Sequence, residues 1–190
     1  MEHVNEATLL QGTKVQLTAL RADDAETIAR WYQDIEYLRL QDTNIAHPRN
    51  ASTITTYLKE WNEASDTVAF GIRTVDKGAL IGTTGLYEIE WANGVGWLGI
   101  GIGERAYWGK GYGSEALTLL LQYAFRELNF HRVQLTVVDY NKRAIAVYEK
   151  LGFKHEGVFR EFGQRDGERY DMHLYGLLRS EWQIHLNSQA

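Results

Sequence analysis

The hydrophobic residues of this chain follow two periods, which predict a mixture of strands and helices. Alternating or short continuous apolar runs predict strands at 14–20, 67–74, 79–90, 96–102, 132–138, 153–162 and 168–178. Helical spacing predicts helices at about 24–32, from Ser52 or Thr53 to Trp61, at about 114–128 and at 142–151. Residues 34–50 follow neither period and include the only proline, so we predict a loop there.

Turn and cap residues mark the ends of these elements. Ala92-Asn93-Gly94 and Asp166-Gly167 are typical of tight turns between antiparallel strands. Asp23 or Asp24 is suited to cap the first helix, and Asn141 is suited to cap the last. The order is one strand, two helices, three antiparallel strands, a helix, a strand, a helix and two strands. This order predicts an α+β fold built on a mixed sheet.

The segment Val133–Val138 is a nearly continuous apolar run, which is typical of a strand that is covered on both faces. Hydrophobic residues make up 44% of the chain and charged residues 24%, the balance of an ordinary globular protein. At this length we expect a single domain over residues 1–190, with its core at about 13–182.

The composition excludes several kinds of chemistry and several classes of partner. The absence of cysteine excludes disulfides, thiolate catalysis and cysteine-based zinc sites. The scattered histidines form no pair at helical spacing, so no metal is expected. The net charge of −5 argues against broad nucleic-acid binding, and no apolar run is long enough to span a membrane. We therefore expect a cytoplasmic protein with no nucleic-acid or membrane partner.

The segment Tyr107–Ala116 carries three glycines that alternate with Lys110 and Tyr112, just before a predicted helix. Glycine lets the backbone approach a ligand closely, and the free amides at the start of a helix attract phosphate. We therefore predict a pyrophosphate-binding loop at Gly109–Gly113, with Lys110 adding a positive charge. The alternative is an ordinary glycine-rich surface turn.

Two other phosphate-binding motifs fit this segment poorly. Residues 111–116 match the dinucleotide motif G-x-G-x-x-A, but that motif directly follows a hydrophobic strand. Here the polar stretch 104–110 intervenes. A Walker A loop requires Ser or Thr after Gly-Lys, whereas Lys110 is followed by Gly111.

A second motif, N-K-R-A-I-A-V-Y-E-K-L-G-F, occupies residues 141–153, one strand downstream of the glycine segment. Together the two segments resemble the GNAT superfamily of N-acetyltransferases, whose signatures are Q/R-x-x-G-x-G/A and N-x-x-A-x-x-x-Y-x-K-x-G-F. The second signature is met in full, and the first is met except that Trp108 stands in place of Gln or Arg. Residues 157–172 resemble the branch that holds ribosomal-protein and spermidine acetyltransferases.

The resemblance implies a central, twisted, mixed sheet of about seven strands, flanked by helices and splayed between the fourth and fifth strands. It also implies that acetyl-CoA, the co-substrate, lies in this splay with its diphosphate on the glycine loop. The cofactor-binding residues implied are Ile100, Gly101, Ile102, Trp108, Gly109, Lys110, Gly111, Tyr112, Gly113, Asn141 and Tyr148. Because Trp108 removes one phosphate donor, binding is expected to depend more on the backbone. We interpret Gly99, Gly101 and Gly103 as surface left bare for the ligand.

The resemblance implies Tyr148 as a catalytic residue, and we add Glu88 as a candidate catalytic base from its position on the predicted strand 79–90. Tyr148 matches the family's general acid, which protonates the departing thiolate; a packing tyrosine is the alternative. The acceptor amine also needs a base or a water chain. Glu88 is preferred to Glu90 on the same strand, although both could be solvated carboxylates. Trp97 stands where this branch often carries Glu.

These features predict an N-acetyltransferase that acts directly on a primary amine, either a protein N-terminus or a small amine. The alternatives are a spermidine-type polyamine acetyltransferase and a non-catalytic acyl-CoA-binding module. The resemblance places the acceptor near carboxylates and an aromatic ring, namely Asp34, Glu36, Tyr37, Glu161 and Asp171. The oligomeric state is left open, with a homodimer as one option.

Overall fold

The computed structural model describes residues 9–189, with side chains described as far as residue 187. Within that range the strands are β1 (Val15–Thr18), β2 (Val68–Thr74), β3 (Leu80–Glu90), β4 (Val95–Ile102), β5 (Arg132–Val138), β6 (Lys154–Arg165) and β7 (Glu168–Leu178). The helices are α1 (Asp24–Trp31), α2 (Ile35–Gln41), α3 (Ala51–Glu63), α4 (Tyr112–Gln122), α5 (Lys142–Lys150) and α6 (Arg179–Gln189). A 3₁₀ turn at Arg105–Tyr107 precedes α4, and a π-helical turn at Tyr123–Glu127 continues it.

The strands form one seven-stranded sheet in the order β1-β2-β3-β4-β5-β7-β6. Neighbouring strands are antiparallel except for β4 and β5, which are parallel. The predicted α+β fold with a mixed sheet is therefore confirmed. The β4–β5 pairing runs only from Val95–Arg132 to Trp97–Gln134, so the two strands separate towards their C-terminal ends, as predicted.

Both predicted turns are present and have the backbone geometry that their residues favour. In the β3–β4 turn the amide of Asn93 donates to the Glu90 carbonyl at 3.0 Å, and Gly94 has a φ of 61°. In the β6–β7 turn Asp166 and Gly167 have φ values of 52° and 83°. Left-handed geometry at these positions suits Asn, Asp and Gly and matches the twist of the paired strands.

Part of the loop predicted at 34–50 is wrong, because Ile35–Gln41 forms α2. The Asp34 carboxylate caps this short helix by accepting from the amides of Glu36 and Tyr37 at 3.1 and 3.2 Å. Its buried residues, Tyr37 and Leu38, are adjacent in sequence, so they do not produce the spaced apolar stripe of a longer helix. Helix α6 was also missed, since Trp182 is its one buried residue among those with described side chains.

Two helix starts differ from the predicted caps. Asp23 stands at the N-cap of α1 without a side-chain cap hydrogen bond, and Asp24 instead forms a buried ion pair with Arg73 at 2.6 Å. Helix α3 begins at Ala51, before the predicted Ser52 or Thr53, because the Asn50 side chain caps it.

Strand β5 is fully covered on one face, and on the other face only Val138 is buried, which corrects the prediction from its apolar run. Val133, Leu135 and Val137 are buried, whereas Gln134 is half-buried and Thr136 is exposed. The buried face joins the core that also contains the apolar side of α4. The opposite face is therefore exposed at Thr136, just beyond the last β4–β5 pair.

The core is divided into two clusters of buried side chains. The first includes the predicted helical stripe of α4, with Leu117, Leu120 and Leu121 nearly inaccessible to solvent. The second lies among α1, α2 and α3 and includes Ile28 and Ile54. The sheet thus lies between two helical layers, and the gap between β4 and β5 opens between them.

Candidate active site

The candidate site lies where β4 and β5 separate. Beyond the Trp97–Gln134 pair, β4 continues to Ile102 and β5 to Val138 with no pairing between them. Backbone groups on these facing edges are therefore available to a ligand. Ile100, Gly101 and Ile102, predicted to bind the pantetheine arm, lie on this separated stretch of β4.

The glycine loop follows β4 and leads directly into α4. Gly109 and Gly111 have φ values of 70° and 85°, in the region that favours glycine. The amides of Gly109, Lys110 and Gly111 have no backbone acceptor within residues 9–189. Free amides beside the positive end of a helix dipole fit an anion such as a diphosphate.

Glu115, in the first turn of α4, ties the glycine loop to β1. Its carboxylate accepts from the Thr13 amide at 2.6 Å, the Thr13 hydroxyl at 2.8 Å, and the amides of Lys14 and Val15 at 2.9 and 3.2 Å. Burial alone would raise the pKa of Glu115, but these hydrogen bonds outweigh it and lower that pKa. The Lys14 ammonium donates to the Lys110 carbonyl at 2.9 Å, so β1 fixes the loop from two sides.

Trp108 connects the loop to both neighbouring elements. Its indole N–H donates to the Ile102 carbonyl at 2.6 Å, so it is engaged within the protein rather than free for a phosphate. Its ring lies 4.9 Å from the Arg105 Cζ and 4.5 Å from the Arg143 Cζ. Arg143 belongs to α5, so this second contact joins the segments that follow β4 and β5.

Asn141 stands at the start of α5, the helix after β5, and Tyr148 lies within it. The Asn141 side chain accepts from the Ala144 amide at 3.2 Å, which confirms its predicted cap. The Tyr148 side chain is buried and packs against the Phe153 ring, and burial raises the pKa of its phenol to about 12. Its hydroxyl forms no hydrogen bond with a described residue. Because this oxygen is not among the fully buried polar atoms that lack a partner, solvent or a ligand can reach it.

The two candidate bases have different surroundings. Glu88 is exposed and has a φ of 47° in a bulge of β3, between the Tyr87–Trp97 and Glu90–Val95 pairs. Glu90 accepts from the Asn93 side chain at 2.8 Å and so helps to hold the β3–β4 turn. Glu88 makes no comparable contact with the described part of the chain, which leaves its carboxylate available.

The glycines of β4 accommodate the protein's own side chains, which corrects our interpretation of a bare surface. A Cβ on Gly103 would lie 1.9 Å from the Trp31 ring, and one on Gly101 would lie 2.5 Å from the Gln41 amide. A Cβ on Gly99 would lie 2.9 Å from the Tyr87 ring. Gly101 and Gly103, which directly follows β4, let α2 and α1 approach the sheet closely, and Gly99 leaves room for a side chain of β3. Only the strand's edge faces the gap.

The two carboxylates predicted at α2 share one cation, Arg105. Arg105 binds Asp34 at 2.6 Å and Glu36 at 2.7 Å. Hydrogen bonds from Arg105 hold the pKa of Asp34 below its usual range. Tyr37 is buried, and burial raises its pKa. Tyr37 lies beside Gly101, so this group positions α2 there, and its two carboxylates and one guanidinium keep a single net negative charge.

The β6–β7 hairpin reaches across to α2. The Arg39 guanidinium forms two hydrogen bonds of 2.9 Å with Asp166, and Arg165 donates to carbonyls of the segment after α2. The predicted acceptor residues Glu161 and Asp171 bind each other, since the Glu161 amide donates to Asp171 at 2.7 Å. Helix α2, its following segment and the hairpin therefore form one continuous wall beside the gap.

A cavity of about 330 Å³ lies behind this wall, between α1, α2 and α3. Gln41, which covers Gly101, also lines the cavity, so the cavity adjoins the separated stretch of β4. Its walls include three aromatic rings, two carboxylates and a guanidinium, from Tyr32, Tyr57, Trp61, Asp42, Glu60 and Arg49. The sequence analysis missed this cavity, because its residues lie on three elements and in the segment predicted as a loop.

Comparison with known proteins identifies the architecture. The family described as "Acetyltransferase (GNAT) domain" matches residues 14–154. The chain belongs to the GNAT acetyltransferase family. An N-acetyltransferase of Bacillus licheniformis, p20, is 27% identical over 173 residues, covering 89% of this chain and 95% of that protein.

One further relative of this GNAT protein, and one solved structure with the same fold, have named acceptors. The [ribosomal protein uS5]-alanine N-acetyltransferase of Escherichia coli K12 is 26% identical over 165 residues, which cover 84% of each chain. The structure of the spermidine N-acetyltransferase of Vibrio cholerae with CoA and spermine is 22% identical. It covers 90% of this chain and 99% of its own, with a TM-score of 0.82, and so shows the same fold.

This GNAT enzyme is thus an N-acetyltransferase. In the part of the chain that the structure describes, no group of three or more His, Asp or Glu residues could hold a metal ion. No described helix is long and apolar enough to cross a membrane.

Proposed function

We propose that this protein transfers the acetyl group of acetyl-CoA directly to a primary amine, either a protein N-terminus or a small amine. The observation that carries the proposal is the gap between β4 and β5, which opens beside free amides of the glycine loop. The helix that carries Tyr148, α5, follows β5 in the chain. The loop Gly109–Gly113 would hold the diphosphate, with Lys110 adding a positive charge and with Tyr112 and Gly113 at the start of α4. The edge of β4 would align the pantetheine arm as an added strand does.

The reaction then needs three groups around one thioester carbon. The amine nitrogen attacks that carbon, and a free amide of β4 between Ile100 and Ile102 would donate to the developing oxyanion. The carbon–sulfur bond breaks, and the Tyr148 hydroxyl supplies a proton to the departing thiolate. The proton that the attacking nitrogen loses as it becomes an amide restores the Tyr148 phenol. The acceptor ammonium must first lose a proton, for which we propose Glu88.

Glu88→Gln should lower kcat about tenfold or more near neutral pH, because an amide cannot take up the ammonium proton. The loss should shrink as the pH approaches the acceptor's own pKa, where the amine is already neutral. Glu90→Gln, which changes the neighbouring turn carboxylate, is the matched control and should retain activity. Equal kcat values for Glu88→Gln and the wild type at every pH would remove Glu88 from the mechanism.

Two acceptor classes are supported by different observations. The E. coli relative named for ribosomal protein uS5 supports a protein N-terminus, because it aligns over most of both chains. The cavity behind α2 favours a polyamine as the second candidate, since aromatic rings with Asp42 and Glu60 suit an organic cation. Arg49 in the same cavity opposes a highly charged cation and is compatible with the backbone of a peptide.

Coenzyme A release over an amine panel should separate these classes. The chain contains no cysteine, so a thiol reagent reports coenzyme A without background from the protein. We expect release with peptides that have free N-termini and none with the same peptides acetylated. Faster release with spermidine would select the polyamine class instead. Binding of acetyl-CoA without release over any amine would indicate a non-catalytic acyl-CoA-binding module and overturn the proposed activity.

A further inference from the structure

We call the end of the gap between β4 and β5 where Trp108 meets Arg143 the mouth of the gap. It carries a positive charge that no carboxylate among the described side chains neutralises. Arg143, in the first turn of α5, is exposed, and its described contact is with the Trp108 ring at 4.5 Å. Arg105 lies near the same ring but is bound by Asp34 and Glu36. Of the two guanidinium groups at Trp108, only that of Arg143 is therefore available to an anion.

The contact between Trp108 and Arg143 spans the two sides of the mouth. Trp108 belongs to the loop after β4 and is fixed by its hydrogen bond to the Ile102 carbonyl. Arg143 belongs to the helix after β5, whose start is fixed by the Asn141 cap. Trp108 is thus fixed by its own hydrogen bond, and Arg143 lies on a helix whose start is fixed. The Arg143 guanidinium is kept beside Trp108, the residue that precedes the free amides of the glycine loop.

Coenzyme A carries a diphosphate and a separate phosphate on its ribose. The loop amides suit one of these groups, but the indole at position 108 offers neither a charge nor a free N–H. We propose that Arg143 binds a phosphate group of acetyl-CoA from the opposite side of the gap, and that Trp108 is the positioning residue that holds it there. This inference rests on the proposed function.

The chemistry of arginine suits this role. A guanidinium stays charged at every physiological pH, matches phosphate oxygens with paired N–H donors and stacks on aromatic rings. Stacking on Trp108 limits the conformations of a long side chain, so less entropy is lost when a phosphate binds. A tryptophan in the loop can therefore replace a local donor by orienting a distant one.

Calorimetry with coenzyme A, 3′-dephospho-coenzyme A and pantetheine tests the proposal on the full chain. Arg143→Ala should weaken coenzyme A binding about tenfold to a hundredfold and leave pantetheine binding unchanged, since a charge-assisted hydrogen bond to phosphate is lost. Lys142→Ala removes the adjacent exposed cation, which does not contact Trp108, and should change the affinity by less than about threefold.

Comparing coenzyme A with 3′-dephospho-coenzyme A identifies the phosphate group that Arg143 binds. An equal loss with both would assign Arg143 to the diphosphate, and a loss confined to coenzyme A would assign it to the ribose phosphate; either result supports the proposal. An unchanged affinity in Arg143→Ala, or an equal loss in Lys142→Ala, would overturn it. Failure of the wild-type protein to bind coenzyme A would instead refute the proposed function.

A double-mutant cycle tests the part played by Trp108. Trp108→Ala should weaken coenzyme A binding, and adding Arg143→Ala to it should cost much less than in the wild type, because the two residues act together. Trp108→Phe, which keeps a ring, should lose less than Trp108→Ala. An Arg143 effect of the same size in both backgrounds would show that Trp108 does not position it. Thermal unfolding of each variant would separate these losses from loss of folding.

Discussion

Gly111→Asp should abolish measurable acetyl-CoA binding, with a loss of affinity of at least about a hundredfold. Gly111 has a φ of 85°, so any side chain strains the backbone where the loop enters α4. An added Cβ would lie 3.2 Å from the flexible end of Lys14, so steric conflict is mild. The decisive effect is electrostatic, because a carboxylate would stand among amides proposed to bind a diphosphate and would also attract Lys14 away from the Lys110 carbonyl.

Calorimetry with coenzyme A measures this effect, and two variants separate its causes. Gly78→Asp introduces the same residue at a φ of 64°, in a turn where an added Cβ meets nothing within 4 Å. It should carry a similar backbone strain and leave coenzyme A binding intact. Gly111→Ala strains the loop without adding charge and should fall between the wild type and Gly111→Asp. If Gly111→Asp binds coenzyme A as the wild type does, the loop is not the phosphate site.

The parts of the site that sequence predicts well are those made by one continuous segment. Asn141 caps the helix that carries Tyr148, and Gly111 adopts the left-handed conformation at the start of α4. Both follow from local rules, because the partner groups lie within a few residues. The separation of β4 from β5 was expected from the resemblance to the GNAT family and is confirmed by the pairing register.

Contacts between segments that are distant in the chain produce no local sequence pattern from which they could be predicted. Glu115 binds Thr13, about a hundred residues away, and no local pattern marks either partner. The glycines of β4 show the opposite problem, since their pattern is visible but has two explanations. A glycine permits the approach of a ligand or of a side chain, and only the position of the Trp31 ring over Gly103 decides between them.

The loop prediction for residues 34–50 was partly wrong for a related reason. Helix α2 is short and is held by contacts from elsewhere, such as Arg105 on Asp34 and the Tyr140 hydroxyl on the Arg39 carbonyl. Tertiary contacts stabilise such a helix more than its own apolar pattern does. The acceptor wall and cavity depend on this segment, so the acceptor side was the least predictable part of the site.

Tyr148→Phe should lower kcat about tenfold to a hundredfold while acetyl-CoA binding and the melting temperature stay close to those of the wild type. The hydroxyl makes no hydrogen bond with a described residue, so its removal leaves no protein partner unsatisfied. The proton transfer proposed for this hydroxyl takes place only when the thiolate departs. An effect on kcat with unchanged coenzyme A affinity therefore distinguishes a general acid from a packing tyrosine.

Tyr175→Phe provides the matched control, because this tyrosine is also buried and its hydroxyl donates to Glu149 of α5 at 3.0 Å. Its loss should affect stability slightly and leave kcat intact. A comparable fall in kcat in both variants would indicate that α5 is merely disturbed, and full activity of Tyr148→Phe would refute its role as the acid.

The pH profile gives the Tyr148 prediction a second test. Because burial raises the pKa of Tyr148 to about 12, its phenol stays protonated across the assay range, and titration of Tyr148 does not limit kcat on the basic side. The proton supply is constant, while the neutral fraction of the acceptor amine rises with pH towards its own pKa, about 8 for a protein N-terminus and about 10 for an aliphatic amine. The wild type and Tyr148→Phe should therefore show parallel profiles, displaced vertically by the same factor between about pH 6 and 9. A basic limb that disappears in Tyr148→Phe would mean that this phenol ionises within the working range, and the burial argument for a permanently protonated acid would fail.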